Sequence, residues 1–519
     1  MASPIWSYQI KLKHKQLKSD LNQRQKLVFS RKSTKWSKTP YNCFGAKNYK
    51  LKLRLFFASF FLFLVATNVG ATDLAQVYGD AKTGDPIVGA SRANFQAIRE
   101  NVPQARSRIL PSINAGASTQ KSEIDFPGAI DSNPFSPNFG NPIPGENFNE
   151  NGWNAQIRQS IIDVSSWASL RSSRSSVKAA EYELRQIEQE LIVRVVRAYM
   201  NVLRAQDFLD TSNAEVTAVK RQLEQVQQRF DVGLVAITDV LESQAAYDNA
   251  LVRKIQADGD QGIFFQTLGT LTGKTYEFLD RVSESLPITN PDPYQEAEWV
   301  KTAQEENLGI LYANEQLIAA RRNMRAKRSE HLPTVDGIVN KSHTISGGRN
   351  FFGSDTTDYT SFGLQLSLPI YNGGLTRSRV KQAAAQADQA SELLNNRRLT
   401  VIRDTRNLYR AVATDVVRVK ARLKAIKSST SALEAVETGY EVGTRNVVDV
   451  LQAQQRLFAS QFDYADSRYN YIINLMALKQ AAGTLSADDL MELNQFTNPD
   501  DKVLRQASLN RGIEDSIFQ

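Results

Sequence analysis

The sequence predicts an α+β chain written twice, each copy carrying a helical run, a β-hairpin and a very long helical hairpin. Three observations lead there: a motif repeated 210 positions apart, short segments alternating with period two, and proline-free runs of about 66 residues. The repeat is read in register. Phe230-Asp-Val-Gly-Leu-Val-Ala-Ile-Thr-Asp-Val-Leu-Glu-Ser-Gln244 matches Tyr440-Glu-Val-Gly-Thr-Arg-Asn-Val-Val-Asp-Val-Leu-Gln-Ala-Gln454, and Leu110-Pro111 echoes Leu332-Pro333 upstream. A unit this long exceeds the 20–50 residues of solenoid repeats, so duplication of a large supersecondary unit is the simpler account. The copies are placed at 72–290 and 291–494.

Each copy opens on a moderately helical run, 73–107 and 293–330. Strands follow. In 359–369, Phe362, Leu364, Leu366 and Leu368 face one way, while Ser361, Gly363, Gln365 and Ser367 face the other. In 153–161, Trp153, Ala155, Ile157 and Ile161 oppose Asn154, Gln156, Arg158 and Ser160, with Gln159 interrupting the apolar side. Period two over this length predicts strands with one apolar and one wet face. Segments 112–119 and 334–342 are placed as their partners mainly by position, and 120–151 and 343–357 read as hairpin loops rich in turn-forming residues.

The period then changes. Residues 165–230 and 374–439 contain no proline, and Val177, Ala180, Leu184, Ile187, Leu191, Val195, Tyr199 and Leu203 form one stripe of a helix. Runs of this length reach ~100 Å at 1.5 Å per residue. After each Val-Gly turn a second proline-free run returns, 239–273 and 449–482. Such helices need partners along their whole length.

The ends read differently. Residues 1–54 hold 14 Lys/Arg against one acid, Asp20, so the formal charge of +8 belongs to this extension and the rest of the chain is net acidic. The composition thus gives a nucleic-acid-binding surface no support. Leu55–Ala71 is uncharged and apolar, follows Lys47, Lys50, Lys52 and Arg54, and ends on Val69-Gly70-Ala71. A positive flank, a short apolar core and a small-residue exit predict a signal peptide within 1–71. Its roughly 11 strongly apolar residues are too few for a membrane-spanning helix. The polar tail 495–519, without an apolar stripe, is expected to be mobile. The single cysteine, Cys43, lies in the basic extension, so no disulfide framework or thiolate metal site is expected beyond it.

No constellation suited to catalysis, metal or cofactor binding stands out. His331 and His343 read as solvated residues at strand ends, and there is no nucleotide-binding glycine loop. The strands carry the functional argument. Four per chain cannot close a barrel, and open strand edges do not survive in lipid. If they meet a bilayer, several chains must share one barrel. The alternative is a small soluble sheet capping a helical bundle, as in a periplasmic coiled-coil adaptor or scaffold. An adaptor of that kind has one helical hairpin, whereas this chain has two.

The duplicated plan, Val232-Gly233-Leu234 and Val442-Gly443-Thr444, Leu368-Pro369-Ile370-Tyr371-Asn372-Gly373-Gly374, and Arg468-Tyr469-Asn470-Tyr471-Ile472-Ile473-Asn474 together resemble the TolC family of outer-membrane efflux channels. The ending Gly483-Thr484-Leu485 with Asp489-Leu490 fits too, and the similarity covers 72–494. The resemblance implies a homotrimer with a 12-stranded β-barrel in outer-membrane lipid and a periplasmic α-helical barrel. It also implies a periplasmic adaptor protein linking it to an inner-membrane transporter of the RND, ABC or MFS class, for efflux or type I secretion.

By the same resemblance the hairpin tips form a periplasmic gate, with Tyr440 and Arg445 facing Thr238 and Asp239, and Asp449 in an acidic pore ring. Where close members carry a second acid one turn later, this chain has Gln452, which implies a weaker ring. Val232, Gly233, Leu234, Val442, Gly443 and Thr444 become the adaptor-docking turns. The local reading stays beside it: Asp239-x-x-Glu242 and Asp449-x-x-Gln452 both read as capping boxes starting the return helices. Gly233 and Gly443 equally read as helix C-terminal glycines.

Overall fold

The structure, a computed structural model, describes residues 72–347 and 356–505. The expected basic extension and signal peptide, and positions 506–519 of the tail, lie outside the described residues. The chain runs through the same series twice. The first pass is α1 (Leu74–Gly84), α2 (Pro86–Arg99), α3 (Asn101–Ser107), β1 (Ser112–Ile124), β2 (Glu146–Ile162), α4 (Val164–Asp231) and α5 (Ile237–Thr272), followed by β3 (Phe278–Val282). The second is α6 (Glu296–Glu306), α7 (Leu308–Ser329), β4 (Thr334–Ser346), β5 (Thr356–Ser367), α8 (Leu375–Glu441) and α9 (Val447–Ala482). Then come α10 (Ala487–Asn494) and β6 (Thr497–Leu504). Among the described residues no helix is long and apolar enough to cross a membrane.

The two hairpins join in one antiparallel sheet of order β1-β2-β4-β5. β2 pairs β4 with Ile157 opposite Val339 and Trp153 opposite His343, and β4 pairs β5 with Val339 opposite Phe362. The register gathers Ile113, Trp153, Ile157, Val339, Phe362, Leu364 and Leu366 on one face. That face is open: Phe362 is 78% and Leu364 75% exposed. On the other face Arg158 pairs with Asp336 at 2.7 Å. Both outer strands, β1 and β5, have an unpaired edge within the chain.

The hairpins are longer than their alternation suggests. β1 and β2 continue beyond 119 and before 153 through polar residues, with Thr119 donating to Asn151 at 2.5 Å and Gln120 to Glu150 at 2.9 Å. The backbone ladder and cross-strand polar pairs sustain strand there without an apolar face. The first loop thus shrinks to 125–145, while 348–355 of the second lies outside the described residues.

Strand passes to long helix by different means in the two copies. Asp163 accepts from Ser166 N at 3.0 Å and caps α4, whereas Gly373 and Gly374, both at positive φ, turn the chain into α8. The long helices span 68 and 67 residues, about 100 Å each. Their return helices have only 36. The uncovered half of α4 is lined by α7 from the other copy, through Lys178 to Glu315 at 2.8 Å and Ser172 to the Ala319 carbonyl at 2.8 Å. The same α7 seals α8, with Ile310 and Leu317 against Leu394 and Val401. The expected helical run 73–107 is broken at Asp85-Pro86 and again at Glu100, and 293–330 at Asn307; Asp85 and Asn307 each cap the helix that follows, whereas Glu100 makes no side-chain cap.

The main core sits midway along the helices, where Leu191, Val195, Tyr199 and Leu203 of the predicted stripe are all buried. It is closed by a second sheet, β3 with β6. This corrects the expected mobile tail: residues 497–504 form a strand, with Val503 1% exposed and opposite Leu279. Polar sequence hid it because its backbone bonds go to a strand more than 200 residues away.

The Arg468-Tyr469-Asn470-Tyr471 motif secures this region to α9. Arg468 donates to the Ser283 carbonyl at 2.7 Å, Tyr469 to Asp207 at 2.7 Å, and Tyr471 to the Thr289 carbonyl at 2.9 Å. Asn470 accepts from Arg204 at 2.6 Å.

Asp280, on β3, is buried with Oδ1 unpartnered among the described residues. Burial, then the charge of Asp73, raises its pKa against the pull of Lys502. A carboxyl raised in the folded state favours folding most when protonated, so its contribution is lost as pH rises through the folded pKa. Asp280→Asn is thus expected to raise the thermal midpoint of the purified protein at pH 7. It should also flatten the rise in midpoint as pH falls from neutral toward the ordinary aspartate range, read by melting curves.

Candidate functional site: the helix-hairpin tips

Both hairpins end in the same turn, and the sequence dictates why. Gly233 N donates to the Phe230 carbonyl at 2.8 Å and Leu234 N to the Arg229 carbonyl at 2.9 Å. Gly443 N and Thr444 N bond Tyr440 and Gly439 in the same way at 3.2 and 2.8 Å. These are Schellman motifs, with glycine at φ +79° and +82° where a Cβ is disfavoured. The turns leave Val232, Leu234 and Val442 exposed at 70%, 74% and 69%. Three large apolar side chains at wet helix ends contribute nothing to the chain's own core.

The return helices start two residues earlier than expected, and their caps differ from the predicted ones. Asn446, not Asp449, is the N-cap of α9. Its side chain accepts from Asp449 N at 2.8 Å and Asp449 accepts from Asn446 N at 3.4 Å, a reciprocal capping box. On α5 the N-cap is Ala236, which has no side chain to accept, and Asp239 lies within the first turn. The carboxylate of Asp239 there complements the helix dipole without capping it.

Behind the turns the tips share a small core: Val219 and Val226 of α4, Val240 of α5, Tyr440 of α8, and Val447, Val450 and Leu451 of α9. The first and second hairpins are thereby packed together at their far ends. Tyr440 is 9% exposed, its ring under the Arg229 guanidinium at 4.7 Å, and its hydroxyl has no hydrogen-bond partner among the described residues. A buried hydroxyl left unpaired costs about 1–3 kcal/mol.

Arg445 reaches Asp449 Oδ2 at 3.7 Å, both side chains partly in solvent. Its stem lies on Gly439, where a Cβ would come within 2.8 Å of Arg445 Cγ. Three donors converge on the Gly439 carbonyl: Thr444 N at 2.8 Å, Arg445 N at 3.1 Å and Thr444 Oγ1 at 3.0 Å. Gln452, one turn beyond Asp449, accepts from Arg456 at 3.3 Å.

The chain thus brings Tyr440, Val240 and α9 together and joins Arg445 to Asp449. It makes no hydrogen bond or ion pair from Tyr440 or Arg445 to Thr238 or Asp239; Thr238 is exposed and Asp239 half-buried. Sequence reasoning missed Arg229, Gly439 and Asn446. Asn446-x-x-Asp449 was readable as a box; the other two act through packing that no local pattern marks. Among the described residues no group of His, Cys, Asp and Glu could hold a metal ion.

The model of a family described as outer membrane efflux protein matches residues 77–274 and 299–484. Outer membrane protein TolC of Escherichia coli K12 is 34% identical over 446 residues, covering 83% of this chain and 87% of that protein. Alkaline protease secretion protein AprF of Pseudomonas aeruginosa is 23% identical over 83% of this chain and 88% of its own length. The CmeC outer membrane channel of Campylobacter jejuni superposes with a TM-score of 0.66 at 16% identity, over 82% of this chain and 90% of that one.

Proposed function

Because the chain belongs to the outer membrane efflux protein family, we propose that it is a passive export duct, opened and closed at its helix-hairpin tips. Its place is the outer membrane, as a channel of efflux or type I secretion. One observation carries the finer reading: a sheet with an exposed apolar face, a polar opposite face and two unpaired edges, set on helices of about 100 Å. A lone sheet of this kind is not stable in lipid, because its edge groups have no water to bond. Three copies joined edge to edge make twelve strands, with the apolar faces outward and the Arg158 and Asp336 faces lining water.

In that assembly the helices extend into the periplasm as a second barrel. Arg445, Thr238 and Asp239 then meet their counterparts on neighbouring protomers, while Tyr440, buried behind them with its hydroxyl unpaired, sets how the tip is held. Contacts at a wet tip contribute on the order of 1 kcal/mol each, a latch that a docking partner can undo. Three Asp449 carboxylates make a cation-attracting ring, partly neutralised by Arg445 and with Gln452 adding no charge. Exposed Val232, Leu234 and Val442, with Gly233, Gly443 and Thr444, form an apolar rim suited to the helical hairpins of a periplasmic adaptor. An inner-membrane transporter delivers substrate through that adaptor.

The test is conductance. Tyr440→Phe with Arg445→Ser should raise the single-channel conductance of the purified trimer in planar bilayers several-fold. Conductance equal to that of the parent protein would reduce these residues to packing and pairing within the tip.

A further inference from the structure

Beyond the duct itself, we propose that the outward face of β2, β4 and β5 holds a binding site for a phosphorylated lipid headgroup of the outer leaflet, centred on Lys341. The inference rests on the barrel orientation proposed above. From Leu368, just past the end of β5, the exposed face reads Leu366, Leu364, Phe362, Thr360 and Asp358 going outward from the helix end. The ten residue steps from Leu368 to Asp358 span ~33 Å along the strand, or ~25 Å after a tilt near 40°, the height of an apolar barrel band. The band therefore ends at the level of Thr360 and Asp358.

At that level the register places Ala155, Lys341 and Thr360 in one row, and Trp153, His343 and Asp358 in the next. Trp153 and His343 are stacked with centroids 6.2 Å apart, and His343 Nδ1 lies 2.8 Å from Asp358 Oδ1. An amphipathic ring at the edge of the band marks the lipid–water interface. The Asp358 carboxylate of the adjacent row is engaged by His343. Lys341, exposed between two small side chains, has no hydrogen bond or ion pair among the described residues.

An uncompensated ammonium just inside an interfacial aromatic ring is costly unless its stem extends outward and its head finds an anion. The headgroup layer supplies one class of anion at that depth, the phosphate monoester of a lipid, which has no internal cation to neutralise it as a zwitterionic phosphodiester headgroup does. Trp153 offers the apolar wall for the chain or sugar beneath the phosphate, and the His343 ring offers a second donor when protonated.

The experiment uses the full-length trimer in detergent, titrated with diphosphorylated lipid A, its dephosphorylated form, phosphatidylcholine and inorganic phosphate, with binding read by native mass spectrometry. We expect binding of the diphosphorylated lipid above the dephosphorylated form and above phosphatidylcholine, and none of inorganic phosphate. Lys341→Met should weaken it about fivefold, the equivalent of ~1 kcal/mol for one basic side chain at a membrane surface, and Lys341→Arg should restore it. Equal binding by parent and Lys341→Met, or no preference for the phosphorylated lipid, overturns the site. Binding of inorganic phosphate alone would make it an anion site without a lipid partner, which also overturns it. Planar-bilayer conductance of Lys341→Met separates the two ideas: an active channel that has lost lipid binding leaves the duct intact, whereas a parent protein that forms no channel removes the orientation the site depends on.

Discussion

Leu364→Arg is expected to abolish the outer-membrane trimer. Leu364 is 75% exposed on β5 and lies opposite Gly337 midway between the two ends of the apolar band. A basic side chain facing lipid at that depth costs ~2–4 kcal/mol, and three copies bring the total to roughly 6–12 kcal/mol per trimer. That matches the whole stability of an ordinary folded protein. The measurement is the fraction of heat-modifiable trimer in the outer-membrane fraction. Gln365→Arg, one residue on and facing the other way, should leave the yield near the parent level. Equal trimer yields from Leu364→Arg and the parent protein would show that this face does not meet lipid.

Tyr199→Ala has the largest effect expected within a single chain. Tyr199 is fully buried on α4, in the core that α5, α8, α9, α10 and both strands of the second sheet share. Its hydroxyl donates to the Asp280 carbonyl at 2.5 Å, and burial raises its pKa well above the usual phenol range and keeps it neutral. Truncating a buried aromatic side chain costs ~3–5 kcal/mol through lost burial and a remaining cavity. Tyr199→Phe removes only the hydrogen bond, at ~1 kcal/mol. Chemical denaturation of the purified protein should separate the two variants by a clear shift in midpoint. Proteolysis of the Tyr199→Ala variant should begin near 278–289, the segment that Tyr199 fastens to α4. If both variants unfold together, the core does not depend on that ring.

Much of the fold was legible because its signals are local. The stripe from Val177 to Leu203 repeats within each turn, and the alternation of 359–369 repeats with each pair of residues, so both report a buried or lipid-facing side without knowledge of partners. The two Val-Gly turns were legible as chain reversals for the same reason: a glycine after a helix closes its last carbonyls by bonds within a few residues.

What failed was non-local, or rested on a cap set one turn away. The strand at 497–504 offers one buried side chain, Val503, and its meaning lies in β3. The polar continuation of β1 and β2 is held by a ladder rather than by apolar faces. The capping of α9 fell to Asn446 because the turn places that residue, and not Asp449, in extended backbone ahead of the helix.

The candidate gate shows the same division. Thr238, Asp239, Tyr440, Arg445 and Asp449 were singled out by the family resemblance, and the repeated motif set them beside the two Val-Gly turns. Their partners followed from packing: Gly439 lets the Arg445 stem lie against α8, Arg229 covers the Tyr440 ring, and Asp449 rather than Asp239 receives Arg445. The sequence by itself determined the duplicated plan, the long helical hairpins and the two-faced strands, since each is written in the period of neighbouring residues. Only the tertiary structure decided how the second sheet closes the core, how α7 covers both long helices, and which side chains meet at the tips. Those depend on distances between residues far apart in the chain, for which no local period exists.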